Sequence, residues 1–355
     1  MKSGRKLNNR STRDVGEDLV LGELLGGTRM IAASLAHGRE LLSTVDEYVT
    51  NQSRFDRQSR VNLRYEVVEV TPKIFLDYVS SQVMAWSDNE VASLKEIVAS
   101  MAKKLALLDV TLPEEVWVVK TSGLEEGYAA YTRLMNVIAL PNNMVASLQT
   151  TVNYGDPLHP ASDTSYLEDV ITHECFHIFS KNNAERRFAL YDLVGYASTG
   201  DPVPLPDTPW GPASANDTVP MLKITNPDTP VLNVYIELEV PEVPGGGTGT
   251  LVKRPLLPVL LASGPYEGGI FFDYLAWWFL AIEKCREAWV PVLDDSGRPL
   301  FYKSEPLMPQ YLKMIGLNMT GELFHPDEIL AQNFVLVVNQ PSLGLLTEMR
   351  SILAP

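Results

Sequence analysis

The chain has 355 residues, 45% of them hydrophobic and 21% charged, which excludes a disordered or collagen-like chain and leaves room for two or three domains, or one domain with large insertions. Its formal net charge of −15 offers no basic surface to neutralise phosphates, so nucleic acid is not an expected partner. The longest apolar run, Ile270 to Ile282, is broken by Asp273 and is too short to cross a bilayer.

Taken in chain order, Met1 to Arg13 is basic and polar with no apolar core of a signal peptide. Residues 1–15 read as a disordered arm, and a cytoplasmic location with no membrane partner is expected. Asp18 to Val49 has a helical pattern, interrupted by Gly22, Gly26 and Gly27, and the polar stretch Asn51 to Asn62 reads as a connector. A capping box, Ser87 with Glu90, opens a helix with Val91, Leu94, Ile97, Val98, Met101 and Leu105 on one face. Val116 to Lys120 reads as a strand, and so does the aromatic and β-branched run Tyr128 to Leu140. A second capping box, Ser165 with Glu168, is expected to start the next helix.

Ala184 to Leu193 reads as helix. The proline-rich stretch from Gly200 to Pro220 marks a linker or an insertion boundary. Beyond it, Asn226-Pro227-Asp228 is a turn signal rather than a calcium site. Val234 to Val240 and Leu256 to Leu261 read as strands, and Val290 to Leu293 pairs with Leu300 to Tyr302 as a hairpin across Asp294 to Gly297. Gly245 to Gly247 reads as a loop tip. Phe271 to Glu283 is expected to be a buried helix, its aromatic residues packing the core rather than lining a pocket. Pro326 opens a closing helix, Asp327 to Val338. The two cysteines, Cys175 and Cys285, lack metal-type spacing and read as reduced thiols.

The chemistry-bearing stretch is His173-Glu174-Cys175-Phe176-His177. A helix repeats every 3.6 residues, so the two histidines share a face one turn apart and can grip one zinc ion. Glu174 lies beside them, within reach of a water that the metal acidifies, and can pass the proton to a leaving amine. Cys175 points away from the histidine face. The chain holds only five histidines, which makes a chance pair at this spacing less expected.

This motif, on a helix that follows an aromatic strand, resembles the zincin metallopeptidases over residues 87–200 and more loosely over 320–340. The resemblance implies an α+β, zincin-like fold with one Zn2+ ion. It also implies that Tyr131 to Leu140 is the edge strand that pairs with an extended peptide, through Tyr131, Arg133 and Met135. The metzincin continuation fails, because Ser180 and Asn183 stand where its glycine and its third ligand belong. The gluzincin type takes a glutamate from a later helix, which implies Glu328, with Gln332 one turn on in the place of an acidic residue supporting a ligand histidine. Glu185 is the competing third ligand, although Arg186 and Arg187 offer it an ion pair. Candidate oxyanion stabilisers are His325 and Tyr311, with Tyr302 upstream, and His325 serves equally as a helix cap.

Four segments follow: an N-terminal helical region, 1–86; a zincin core, 87–200; a Pro-rich, strand-rich insertion, 201–305; and a C-terminal helical part, 306–355. The expected activity is hydrolysis of peptide or protein substrates, with Glu174 as general base. Two alternatives are a zinc hydrolase or tailoring enzyme for a small non-peptide substrate, and a non-catalytic binding protein on a peptidase scaffold.

Overall fold

The computed structural model describes residues 16–64, 69–146, 163–205, 222–242, 244, 250–316, 322–339 and 344–353. The N-terminal arm, the loop tip at 245–247 and most of the proline-rich stretch lie outside these residues. The fold is mixed α+β.

The first described elements are a hairpin, β1 (Leu19–Glu23) and β2 (Arg29–Ala32), where a helix was expected. Gly26 and Gly27, at φ of 79° and 84°, form the reversal in a left-handed conformation that a helix cannot contain. Four helices follow: α1 (Leu35–Leu42), α2 (Glu47–Asn51), α3 (Arg54–Val61) and α4 (Pro72–Ser81). The expected connector at 51–62 is thus largely α3. Its capping box pairs Ser53 with Asp56, so local capping outweighs its polar composition. Next comes α5 (Asp88–Leu105), which carries the Ser87–Glu90 capping box, and then β3 (Glu115–Thr121).

The expected single strand to Leu140 is a hairpin, β4 (Tyr131–Arg133) and β5 (Val137–Pro141). Leu134 takes a left-handed conformation at φ 52° in the turn. The Asp46 carboxylate holds that turn, accepting from the Leu134 amide at 3.2 Å and from Arg133 Nε at 2.6 Å. A remote side chain therefore imposes a reversal that the local sequence does not announce. After α6 (Asn142–Ala146) come α7 (Asp163–Asn182) and α8 (Ala184–Leu193). Helix α7 begins two residues before Ser165, and Glu168 meets Ser100 Oγ at 3.0 Å and Lys104 Nζ at 2.6 Å. The expected Ser165–Glu168 box is therefore not the start of this helix.

The second half supplies β6 (Tyr196–Ser198), β7 (Lys223–Ile224), β8 (Val234–Pro241), β9 (Leu251–Ala262), β10 (Leu275–Cys285), β11 (Ala288–Pro291) and β12 (Phe301–Lys303). The buried helix expected at 271–283 is instead a short 3-10 turn followed by β10. The apolar run from Leu275 to Ile282 suits a strand flanked on both sides as well as a helix, and β10 pairs with β9, β11 and β12. Helices α9 (Ser304–Ile315), α10 (Pro326–Asn339) and α11 (Gly344–Leu353) close the chain.

One five-stranded sheet has the order β1-β2-β3-β5-β4, parallel across β2, β3 and β5 and antiparallel at both edges. Val116 and Val118 of β3 face a core shared with α5 and α7. Val119 faces a second core with Leu42, Tyr48, Phe75 and Val79. Helices on both faces account for the apolar character of its parallel strands. The second sheet, β11-β10-β9-β8-β6, also takes in β7 and β12, and β8 joins the main core with α9. Strands β1 and β2 belong to the same sheet as β3, so the described residues of 1–86 are not a separate helical region. Likewise β6, drawn from before residue 200, pairs with β8.

Candidate metal centre

Helix α7 divides its faces sharply. Leu167, Ile171, Cys175, Phe176, Ile178 and Phe179 are buried in the main core. Burial pushes the Cys175 thiol up to about 12, so it stays protonated and is no metal donor. The opposite face presents His173 and His177, with ring centroids 4.8 Å apart. Helix α10 packs against α7, Phe334 on Phe176 at 5.5 Å, and this contact brings the start of α10 to the histidines. Pro326 occupies the first helical position, where its missing amide costs nothing. The His325 ring accepts the next amide, Asp327 N–H, at 3.1 Å.

The Nε2 atoms of His173 and His177 are 3.0 Å apart, and Glu328 Oε2 lies 3.3 Å from each. These three atoms can hold one metal ion. With Nδ1 donating to Asp327 Oδ2 at 2.6 Å, the neutral His177 ring carries its lone pair on Nε2, facing the site. Asp327 also accepts from Tyr191 OH at 2.6 Å and from Ser180 Oγ. The remaining oxygen of Glu328 accepts from Asn226 Nδ2 at 2.6 Å. His177 and Glu328 are thereby fixed from outside the triangle.

Electrostatics run in a consistent direction. Burial disfavours charge on His177, but Glu328, Asp228 and the bond to Asp327 outweigh it and raise its pKa well above the usual value. Burial likewise opposes charge on Asp327 and Glu328, yet the histidines hold both below the usual carboxylate range. Glu174 is only 4% exposed and its Oε2 has no hydrogen-bond partner. Burial, with Asp228 adding repulsion, pushes its carboxyl well up. A carboxylate oxygen of Asp228 lies within 4.8 Å of Glu174 and of a His177 nitrogen. Several buried acidic groups thus converge, an arrangement that costs free energy unless cationic charge balances it.

Other candidates lie elsewhere. Glu185 is exposed on α8 and does not reach the triangle. Tyr311 is fully buried, its hydroxyl bonded to Tyr196 OH and to the Leu323 carbonyl, so it is not free to stabilise an oxyanion. Tyr302 bonds to the Pro241 carbonyl at 2.8 Å. Burial lowers His325 to about 4, which keeps it neutral in its capping role. Tyr131 is buried against Glu125, and Arg133 is committed to Asp46 and the Thr44 carbonyl. Neither side chain is available to a substrate. Met135 is half exposed and lines a cavity of about 610 Å³ with Ser180, Lys181, Tyr191, His325 and Asp327.

Sequence reasoning missed Asp327, Ser180, Tyr191, Asn226 and Asp228. For Asp327 the signal was adjacency to Glu328, whereas the gluzincin resemblance directed attention to Gln332. For Asp228 there was only a turn motif, which forms: its amide donates to Asn226 Oδ1 at 2.9 Å. Cys175 and Cys285 are both unpaired, the first buried and the second exposed. Among the described residues no helix is long and apolar enough to cross a membrane. No family model, no curated protein and no solved structure matches the chain.

Proposed function

We propose that the chain is a zinc-dependent metallopeptidase of the zincin superfamily, gluzincin-like, that hydrolyses peptide bonds. The observation that carries this reading is the triangle of His173, His177 and Glu328. Its edges of 3.0, 3.3 and 3.3 Å compare with roughly 3.3–3.6 Å between donors of a tetrahedral zinc with N and O ligands. A set of two imidazoles and one carboxylate, with an outer acid on one histidine, suits that ion.

Zinc, when bound here, supplies Lewis acidity, polarising a carbonyl and acidifying a water. The chain's own residues do the rest. Glu174, buried and with a free oxygen, accepts the proton of the attacking water and returns it to the leaving amine. Asp327 keeps the His177 tautomer, and Asn226 fixes the orientation of Glu328. The test is Glu174→Gln. Peptide hydrolysis should fall by about 10²–10⁴-fold, while zinc stays at one per chain. A variant that hydrolyses at the wild-type rate removes Glu174 from the mechanism.

A second reading has its own observation. Strand β4 is the edge of its sheet, but the Thr132 amide already donates to Asp228 Oδ1 at 2.7 Å. An occupied edge favours a zinc hydrolase or tailoring enzyme acting on a small non-peptide substrate. Cleavage of an extended peptide library by the intact chain separates the two.

A further inference from the structure

The cavity of about 610 Å³ beside Met135 is bordered by Ser180, Tyr191 and Asp327, but by none of His173, His177 and Glu328. It is a space apart from the metal triangle. The acids on its wall are Asp46, Glu47, Asp228 and Asp327, and most are already matched. Asp46 pairs with Arg133, Asp228 accepts from the Thr132 amide, and Asp327 accepts from His177, Ser180 and Tyr191. Glu47 is exposed to water.

The donors on the same wall are not matched. Arg60, Arg133 and Arg186 each meet a carboxylate. Arg187 meets none among the described residues, and its Nε is buried without a partner. Its guanidinium rests on the Phe188 ring, 4.6 Å from the centroid. Tyr191 follows one turn later on α8, and its ring stands edge-on to His325 at 6.0 Å. His325 is only 6% exposed. Its Nδ1 accepts the Asp327 amide, so the neutral ring carries its hydrogen on Nε2, and that atom is also buried without a partner. Lys181 gives one hydrogen to Thr132 Oγ1 at 2.5 Å and has others to donate.

Buried donors without acceptors cost free energy, which an acceptor in the cavity offsets. A guanidinium beside an imidazole N–H suits an anionic pair of oxygens. The acids on the wall repel a doubly charged anion more strongly than a singly charged one. We propose that this cavity is a binding site for a carboxylate monoanion, with Arg187 as its charge partner and His325 and Lys181 as further donors. The carboxylate belongs to the free C-terminus of a peptide or to a free small carboxylic acid. No metal is needed for this binding.

The test is isothermal titration calorimetry on the full chain without added metal. The probes are N-acetylalanine, its carboxamide, an acetylated tetra-alanine peptide with a free C-terminus, and inorganic phosphate at mildly alkaline pH, where it is a dianion. The two carboxylates should bind at least about tenfold more tightly than the carboxamide, and more tightly than phosphate. Arg187→Gln should lose that preference. Arg186→Gln should keep it, because that guanidinium is already paired with Asp109. Tighter binding of the peptide assigns the cavity to a chain terminus, and tighter binding of N-acetylalanine assigns it to a free acid; both uphold the carboxylate site. Equal binding of acid and carboxamide by the wild-type chain overturns the proposal, whether or not Arg187→Gln folds. An undiminished preference in a folded Arg187→Gln chain overturns it too, as does phosphate binding as tight as that of the acids.

Discussion

Glu125 carries a carboxyl into the interior, with Oε2 unpartnered. Burial pushes its pKa up to about 6, with the neighbouring Glu126 adding to the shift and hydrogen bonds from Thr121 and Tyr131 opposing it. The folded pKa lies above the ordinary value of 4.5, so the fold prefers the protonated acid. The associated stability is fully present below the unfolded pKa and is lost as pH rises through about 6. The 1.5-unit difference is worth about 2 kcal/mol. Glu125→Gln should therefore gain about that much relative to wild type between pH 4 and pH 8, read from denaturant unfolding at each pH. A constant difference between the two proteins across that range means that the burial of Glu125 carries no such cost. Nothing in the sequence around Gly123 to Gly127 distinguishes this acid from its exposed counterparts, because burial is a property of the packed molecule.

At the scale of elements, the pairing of α7 with α10 decides the site. The four-residue spacing of His173 and His177 determines their common face from sequence alone. The identity of the residue behind His177 was not legible, because it depends on how α10 approaches α7. The gluzincin resemblance points to Gln332, one turn after Glu328, yet it is Asp327, at the helix entrance, that takes Nδ1. Asp327→Ala should weaken zinc binding by about 10–100-fold, and Gln332→Ala should leave it unchanged, both read by chelator competition. An equal loss in the two variants assigns the effect to the helix as a whole. The same dependence on remote partners explains the misread elements. Asp46 imposes the turn at Leu134, and the neighbours of β10 on both sides make it a strand. By contrast α5 and α8, whose signals are a local capping box and local periodicity, keep their expected positions.

For the whole molecule, the site joins three distant stretches of chain: α7, residues 225–231 and the start of α10. Asp56 and Arg60 tie the middle stretch to the N-terminal helices, and Arg60 also meets Glu126 at 2.8 Å with both side chains buried. A ligand that binds only this assembled arrangement stabilises all of it. Zinc at 100 times its dissociation constant should add about 2.7 kcal/mol to unfolding, reversed by a chelator and absent in His173→Ala. Equal stability with and without zinc in the wild-type chain denies the ion any link to the fold. None of this assembly was legible beyond the two histidines and the candidate glutamate, because tertiary contact across a strand-rich segment leaves no periodic trace.

The separation of the donors also has a consequence for biosynthesis. His177 and Glu328 are 151 positions apart (328 − 177). At roughly 5–20 residues per second, the histidine pair leaves the ribosome about 8–30 s before the carboxylate that completes the triangle. A nascent chain in that interval has the two imidazoles and Glu174 but no closed set of donors. Asn226, which donates to Glu328, emerges ahead of it, so the group that orients the carboxylate is made before the carboxylate itself.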